Sequence, residues 1–282
     1  MSGTLFLCAT PIGNLEDMTY RAVRVLREAD LIAAEDTRNS IKLLNHFDIH
    51  TPMVSYHEHN KWEKARELVG KLLEGRNIAL ITDAGMPGIS DPGEILCRMA
   101  HDAGVCVTVI PGACAAVSAL AVSGQPADRF VFEGFLPRAG KERKEKLELL
   151  SREERTVIIY EAPHRIKKTL ADLKECFGES RELSVCRELT KTHEEVSLTT
   201  FGEAAAYYEE KEPKGEFVLV IKGRTAEETE QEQKDLWKDL SEEEHVALYT
   251  ARGIDRKEAM RLAAKDRGVS RRDIYNALNK DR

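Results

Sequence analysis

No run in this chain approaches the roughly 18 uninterrupted apolar residues that a membrane helix needs. The segment Met1 to Leu7 has neither a basic stretch nor an extended apolar one, so a cytoplasmic protein with no membrane partner is expected. Cysteine is sparse. The six thiols, Cys8, Cys97, Cys106, Cys114, Cys176 and Cys186, form no C-x-x-C pair and keep no regular spacing, which predicts reduced, buried side chains. A net charge of −7 excludes a uniformly basic nucleic-acid coat, so any RNA contact has to come from a local patch. Nucleotide fingerprints are missing too. No G-x-G-x-x-G follows the first strand and no G-x-x-x-x-G-K-[ST] occurs, which argues against a P-loop enzyme. What is present is an ordinary globular composition, 42% hydrophobic and 32% charged over 282 residues, long enough for two domains and a small appendage.

Short apolar runs alternate with amphipathic stretches along the first half. Residues 4–9 form an apolar run that ends in the turn cluster Thr10-Pro11-Ile12-Gly13-Asn14. A helix follows, with Thr19 as N-cap and Ala22, Val23, Leu26 and Ala29 at helical spacing. The runs Leu31–Ala34, Asn77–Ile81 and Val105–Ile110 predict further strands, and amphipathic helices are expected from Lys61 to Leu73 and near 93–103. This order predicts a mostly parallel α/β sheet with binding loops at the strand C-termini. A second α/β domain is expected after the small-residue helix 113–124. Its strands are Phe130–Glu133, Thr156–Tyr160, Glu182–Cys186 and Glu216–Ile221, and its helices lie near 141–151, 164–176 and 202–210. The expected domains are 1–115, 116–225, an acidic linker 226–244 and a basic helical tail 245–282. In the tail, Ala247, Leu248, Ala259, Leu262, Ala263, Ile274 and Leu278 carry the apolar pattern, and Ser270 after Gly268 predicts an N-cap within a helical hairpin.

The loop Asp83-Ala84-Gly85-Met86-Pro87-Gly88-Ile89-Ser90-Asp91-Pro92-Gly93 joins an expected strand to an expected helix. Its glycines permit close backbone approach, its prolines stiffen it and its aspartates can accept from ribose or amine groups. A plain tight turn is the simpler alternative. Two more such loops, Pro11–Leu15 and Pro111–Ala115, also follow strands, and the three together favour a cleft.

Several segments carry a resemblance that runs in order through nearly the whole chain. They are Thr10–Leu15, Ala34-Glu35-Asp36-Thr37-Arg38, Ser55-Tyr56-His57-Glu58-His59-Asn60, the 83–93 loop, Phe132-Glu133-Gly134-Phe135-Leu136-Pro137, Ala162-Pro163-His164-Arg165 and Arg187-Glu188-Leu189-Thr190-Lys191. In these the chain resembles the ribosomal RNA small subunit methyltransferase I family, which has the tetrapyrrole-methylase fold. Gly85-Met86-Pro87 stands where the wider superfamily has Gly-Asp-Pro, which weakens direct transfer of a porphyrin-type activity. The resemblance implies a two-domain α/β fold with an interdomain cleft for S-adenosyl-L-methionine and a small C-terminal helical region. It implies methylation of a cytidine ribose 2′-hydroxyl in small-subunit rRNA, free or in the assembled small ribosomal subunit, and leaves a homodimer open. It places the methyl donor against Pro11, Leu15, Asp83, Ala84, Gly85, Met86, Ile89, Ser90, Asp91, Ala113, Cys114, Ala115, Tyr160, Glu161, Gly215, Glu216 and Phe217.

Methyl transfer from a sulfonium to a developing alkoxide cancels charge, so a dry, preorganised cleft serves it and no metal is expected. A base, or a cation beside the alkoxide, would assist. On resembling loops the available groups are Glu35, Asp36, Arg38, His57, Lys191 and Glu194, and the sequence does not choose among them. Each has a plainer alternative: a helix cap for Glu35 to Arg38, a structural role for His57 and His59, and a solvated face for Lys191 and Glu194. Arg165 is expected either to hold an RNA phosphate or to cap a helix. Arg256, Arg261, Arg271 and Arg272 are expected to dock RNA through phosphates. Two competing functions use the same features: a corrinoid or porphyrin C-methyltransferase, and a non-catalytic ribosome-associated RNA-binding factor.

Overall fold

A computed structural model describes residues 2–225, 228 and 240–279. The first sheet is wholly parallel in the order β3-β2-β4-β1-β5, with β1 Thr4–Cys8, β2 Leu31–Ala34, β3 Met53–Ser55, β4 Ile78–Ile81 and β5 Cys106–Ile110. Strands β2 and β4 are buried at every residue, as continuous apolar runs covered by helices on both faces have to be. One face packs α3 (Lys61–Leu73) and α4 (Gly93–Asp102) around Leu68, Leu72, Leu80 and Leu96. The other packs α1 (Tyr20–Glu28) and α2 (Thr37–His46) around Leu26, Ile32, Leu44 and Ile81. Thr19 caps α1 by accepting from the Ala22 amide at 3.1 Å. The loops after β4, β1 and β5 leave the C-terminal ends of adjacent strands, so the three loops singled out in the sequence start side by side.

The second sheet runs β6-β7-β10-β8-β9, with β6 Phe130–Phe135, β7 Thr156–Glu161, β8 Glu182–Arg187, β9 Glu195–Thr200 and β10 Phe217–Ile221. Only β6 and β7 pair in parallel; the other pairings are antiparallel. On one face lie α6 (Gly140–Ser151), α7 (Ile166–Phe177) and α8 (Phe201–Glu210), around Leu170, Leu173, Phe201 and Phe217. On the other lies α5 (Ala115–Ser123), with Ala116, Ala119 and Leu120 against Ile158, Val218 and Val220. Helix α5 is made almost wholly of apolar residues, with Ala116, Ala119 and Leu120 packed on the sheet and Val117 and Val122 exposed on its outer face. Both sheets belong to one compact unit, Met1–Lys222.

Three elements go beyond the sequence expectations. Strand β3 is too short to show a period, α2 starts at the Glu35–Arg38 motif, and β9 follows directly on the charged loop 188–194. The thiols also differ from expectation. Cys8 and Cys186 are buried, but Cys106 and Cys176 are exposed and Cys97 and Cys114 lie between.

A second unit, Gly223–Arg282, contains the helices Glu242–Ala251, Arg256–Arg267 and Arg271–Ala277. The expected hairpin is therefore part of a three-helix arrangement. Its core is Val246, Ala259, Met260, Ala263, Ala264 and Ile274, whereas Ala247 and Leu248 are exposed, one helical step away from the face that packs. Ser270 caps the last helix in a capping box with Asp273. Of the expected acidic linker, 226, 227 and 229–239 lie outside the described residues, while Glu242 to Glu244 form the first turn of a helix capped by Ser241. Acidic side chains there complement the helix dipole. No described helix is long and apolar enough to cross a membrane.

Candidate functional site

A cleft of about 580 Å³ opens between the two sheets. That is the size of a nucleoside-sized ligand site. The first wall is the loop after β4. Gly85 sits at φ +86°, where a side chain is strained, and a Cβ on Gly93 would come within 2.8 Å of the Gly88 amide. The Asp91 carboxylate accepts from the amides of Gly88 at 2.8 Å, Ile89 at 3.2 Å and Gly93 at 2.7 Å, folding the loop on itself. Thr10 and Gly85 exchange backbone hydrogen bonds of 2.9 and 3.1 Å, which ties the loop after β1 to the loop after β4.

Glu35 leaves the end of β2 and accepts from the Thr82 hydroxyl at 2.5 Å. Beside it, Asp83 accepts from the Asp36 amide at 3.1 Å. Burial pushes the Asp83 carboxyl above its usual range, the Glu35 charge adds to this, and an Asn39 hydrogen bond works against it. Asp36 and Arg38 form a local cap. The Asp36 carboxylate accepts from the Arg38 amide at 2.9 Å, and the Arg38 guanidinium holds it below the usual carboxylate range.

The opposite wall comes from β7 and the loop after it. The Tyr160 hydroxyl accepts from the Ala116 amide at 2.9 Å and so closes the N-terminus of α5, while burial pushes the phenol up to about 12. Behind it stands a buried polar chain. The Glu161 side chain, 0% exposed, accepts from the Ala162 amide at 2.8 Å and the Thr169 hydroxyl at 2.6 Å, and forms an ion pair with Arg165 Nε at 3.2 Å. Thr169 in turn accepts from Arg143 at 3.0 Å, and Arg143 pairs with Asp172 at 2.8 Å. Arg165 also donates to the Leu136 carbonyl at 2.7 Å, so its guanidinium is engaged inside the wall.

Lys191 closes a third side, with Nζ 2.8 Å from Glu188 and 2.6 Å from Glu216. Burial pulls its ammonium down, but the two carboxylates outweigh burial and hold it above its ordinary value. Its stem lies so close to Gly13 that a Cβ there would come within 2.4 Å of Lys191 Cγ.

Of the residues expected at the methyl donor, Asp83, Ala84, Gly85, Met86, Ile89, Ser90, Asp91, Cys114, Ala115, Tyr160, Glu161, Glu216 and Phe217 line the cleft. Pro11, Leu15, Ala113 and Gly215 do not, although Ala113 O lies 3.6 Å from where a Gly85 Cβ would be. Of the expected catalytic groups, Glu35 and Lys191 line it; Asp36, Arg38, His57 and Glu194 do not. Glu194 accepts from the Thr190 amide, and the His57 Nδ1 is buried without a hydrogen-bond partner. Among the described residues no group of three or more His, Cys, Asp or Glu side chains is arranged to hold a metal. The lining also contains Ile12, Thr82, Phe135, Ala162, Pro163, His164, Cys186, Leu189 and Val218, which sequence reasoning passed over. Ile12, Phe135, Ala162, Pro163, His164 and Leu189 stood inside quoted motifs. Cys186 and Val218 face each other across β8 and β10, a register that no local pattern discloses. In the second unit Arg256, Arg271 and Arg272 are exposed, and Arg261, also exposed, pairs with Glu258 at 2.6 Å.

Residues 4–205 match the family model of tetrapyrrole (corrin/porphyrin) methylases. The chain is 53% identical to the ribosomal RNA small subunit methyltransferase I of Halalkalibacterium halodurans, covering 99% of this chain and 96% of that one. It is 47% identical to the protein of that name from Bacillus subtilis, covering 98% and 94%. Among solved structures it resembles diphthine synthase with a TM-score of 0.60 at 14% identity, covering 78% of this chain and 90% of that one. It also resembles the Thermus thermophilus uroporphyrin-III C-methyltransferase complexed with S-adenyl homocysteine, with a TM-score of 0.55 at 20% identity, covering 78% and 97%. At those identities the likeness concerns the fold. The near-complete coverage at 53% identity goes further: the chain belongs to the ribosomal RNA small subunit methyltransferase I family, within the tetrapyrrole methylases.

Proposed function

We propose that this protein is an S-adenosylmethionine-dependent methyltransferase acting on small-subunit rRNA, and that its target is the ribose 2′-hydroxyl of a cytidine. The observation that carries the small-subunit rRNA methyltransferase reading is identity of 53% over nearly the whole chain to a relative of that name; the cytidine 2′-hydroxyl is what the motif resemblance implies. The cleft suits the methyl donor. Ile12, Met86, Ile89, Phe217 and Val218 supply apolar surface for a base, and Glu35 and Asp83 supply acceptors for ribose hydroxyls or an ammonium. The close backbone approaches at Gly85 and Gly93 keep that space free of side chains. S-adenosylmethionine, when bound, supplies an electrophilic methyl group on a sulfonium. The protein's own work is to orient the hydroxyl, exclude water and accept its proton. Among the earlier candidates we favour Glu35 and Lys191 for contact with the reacting groups, because both line the cleft, and assign Asp36, Arg38, His57 and Glu194 to holding loops.

We place RNA docking on Arg256, Arg261, Arg271 and Arg272; Arg165, turned into the wall toward Glu161 and the Leu136 carbonyl, is left to hold the loop after β7. We propose a cytoplasmic homodimer using the outer strands β5 and β9, which expose Val109, Val196 and Leu198. Mass spectrometry of nucleosides from small-subunit rRNA, with and without the active protein, tests the function. A ribose-methylated cytidine is expected, and methyl transfer to a porphyrin-type ring alone would overturn the assignment. Changing the four tail arginines together to alanine is expected to weaken RNA binding and lower the log–log salt slope by about 0.7–0.9 for each lost phosphate contact. S-adenosylmethionine affinity should stay unchanged. An unaltered slope would remove the tail from RNA binding.

A further inference from the structure

His164 is the only imidazole among the described residues lining the cleft. It is exposed, and its side chain makes no hydrogen bond or ion pair with a described residue. The cleft carboxylates, Lys191 and the phenol are engaged, Glu35 through one oxygen only. Asp91 holds three loop amides, Glu161 holds Arg165, Thr169 and the Ala162 amide, and Lys191 and Glu216 hold each other. Tyr160 caps α5, Asp83 holds the Asp36 amide and Asn39, and Glu35 holds Thr82 through one oxygen. The free imidazole sits on a segment whose neighbouring side chains are tied down. Arg165, the next residue, is pinned to Glu161 and to the Leu136 carbonyl, and the Glu161–Thr169–Arg143–Asp172 chain lies behind it.

A ribose hydroxyl gives up its proton only as the new bond forms, so the acceptor has to be uncommitted, solvent-connected and active near neutral pH. Imidazole is the side chain with that titration range. Resting on the ribose methylation proposed above, we infer that His164 is the general base of the reaction. The hydroxyl proton passes to the free imidazole nitrogen while the oxygen bonds the methyl carbon. The carbon–sulfur bond of the sulfonium breaks, its electron pair stays on sulfur as a neutral thioether, and the imidazolium then releases its proton to water. Glu161 and Arg165 are the charges on the same segment; Lys191 and Glu216 face the cleft from the loop after β8 and from the start of β10. Glu35, Asp83 and Asp91 face it from the first sheet, and Tyr160, Cys114 and Cys186 are the remaining titratable groups.

The test measures kcat and KM between pH 5 and 9 for the full chain, His164→Gln and Glu35→Gln, with small-subunit rRNA and assembled subunits as acceptors. His164→Gln is expected to lose kcat on the order of 10²–10⁴-fold. It should keep its S-adenosylmethionine affinity and RNA KM and lose the acid limb of the pH profile. Added imidazole should restore part of the rate to His164→Ala, a rescue that a structural defect would not allow. A His164→Gln enzyme with a near-normal kcat and an intact acid limb overturns the assignment. So does an effect confined to KM, or removal of the acid limb by Glu35→Gln alone. If the unaltered protein places no methyl group on rRNA ribose, the proposed function itself fails, a result separate from a base assigned to the wrong residue.

Discussion

The two walls of the cleft hold their shape by different physics. On the first, the loop after β4 is set by its own backbone: Gly85 and Gly88 in the left-handed region, Ser90 there too at φ +65°, and the Asp91 carboxylate gathering three amides. It meets the core through backbone, where the Pro92 carbonyl accepts from the buried Tyr56 hydroxyl at 2.8 Å. On the second, the loops after β6 and β7 are set by side chains, through a buried chain from Glu161 through Thr169 to Arg143 and Asp172, with Arg165 bridging to Leu136. A wall made from backbone geometry is sensitive to the shape of single residues. A wall made from buried charge is sensitive to the loss of a partner, because an uncompensated ion in the interior costs far more than a strained loop.

That contrast can be broken in order of expected effect. Gly85→Trp should abolish methyl transfer in a folded protein, since it fills the space beside Ile12 and Ala113 and forces a side chain into a left-handed position. Calorimetric titration should show S-adenosylmethionine binding lost, and retained affinity would remove the first wall from the site. Glu161→Ala should act on stability, at about 3–5 kcal/mol. That corresponds to a melting temperature lower by roughly 10 °C for a unit of this size. An unchanged melting temperature would mean that the charge network does not hold the second wall. Asp91→Ala removes one acceptor from three amides and should cost about 1–3 kcal/mol, mostly as loosening of the loop. Hydrogen exchange should rise at Gly88, Ile89 and Gly93 and not at 161–165; exchange rising on both walls would show that they are one cooperative element.

The smallest effect concerns the tail, which relies on a buried histidine. His245 is 0% exposed, accepts from Arg267 at Nδ1 at 3.0 Å, and has Nε2 3.3 Å from Asp266. Burial first, then the Arg267 charge, hold its imidazole below the ordinary value of 6.5, with Asp266 acting the other way. Between the folded and unfolded values the unfolded tail binds more protons. Its stability is therefore full above pH 6.5 and declines as pH falls through that value. Thermal melts of the tail helices followed by circular dichroism across pH 5–8 should show this, and His245→Phe should flatten it. An equally steep profile in the variant would place the titration elsewhere.

The strands of the first sheet were legible because each is a short apolar run bounded by turn residues, as in Leu31–Ala34 before Glu35 and Ile78–Ile81 before Asp83. Thr19 and Ser270 were legible as caps because a hydroxyl at the start of a helical period has few other uses. Strand β9 was hidden because it exposes Val196 and Leu198 at a sheet edge and follows a run of charge, so its alternation reads as surface. Ala247 and Leu248 misled for a related reason: a helix with apolar residues on several sides does not say which of them is packed.

For the site, residue types and spacing were enough to find the loops after β1, β4 and β5, because glycine, proline and aspartate act locally on the backbone. The partners of ionised side chains were not. Arg165 turns into the wall toward Glu161, Lys191 bridges Glu188 and Glu216 from positions 3 and 25 residues away, and His164 is left facing the cleft alone. The sequence by itself determined the family, most of the elements in their order and the loops that surround the cleft, since these are written in local pattern, whereas β3, α2 and β9 are not. Only the tertiary structure decided which charged groups are spent on one another and which remain free to react, because that choice depends on distances across strands and between sheets, which chain order does not encode.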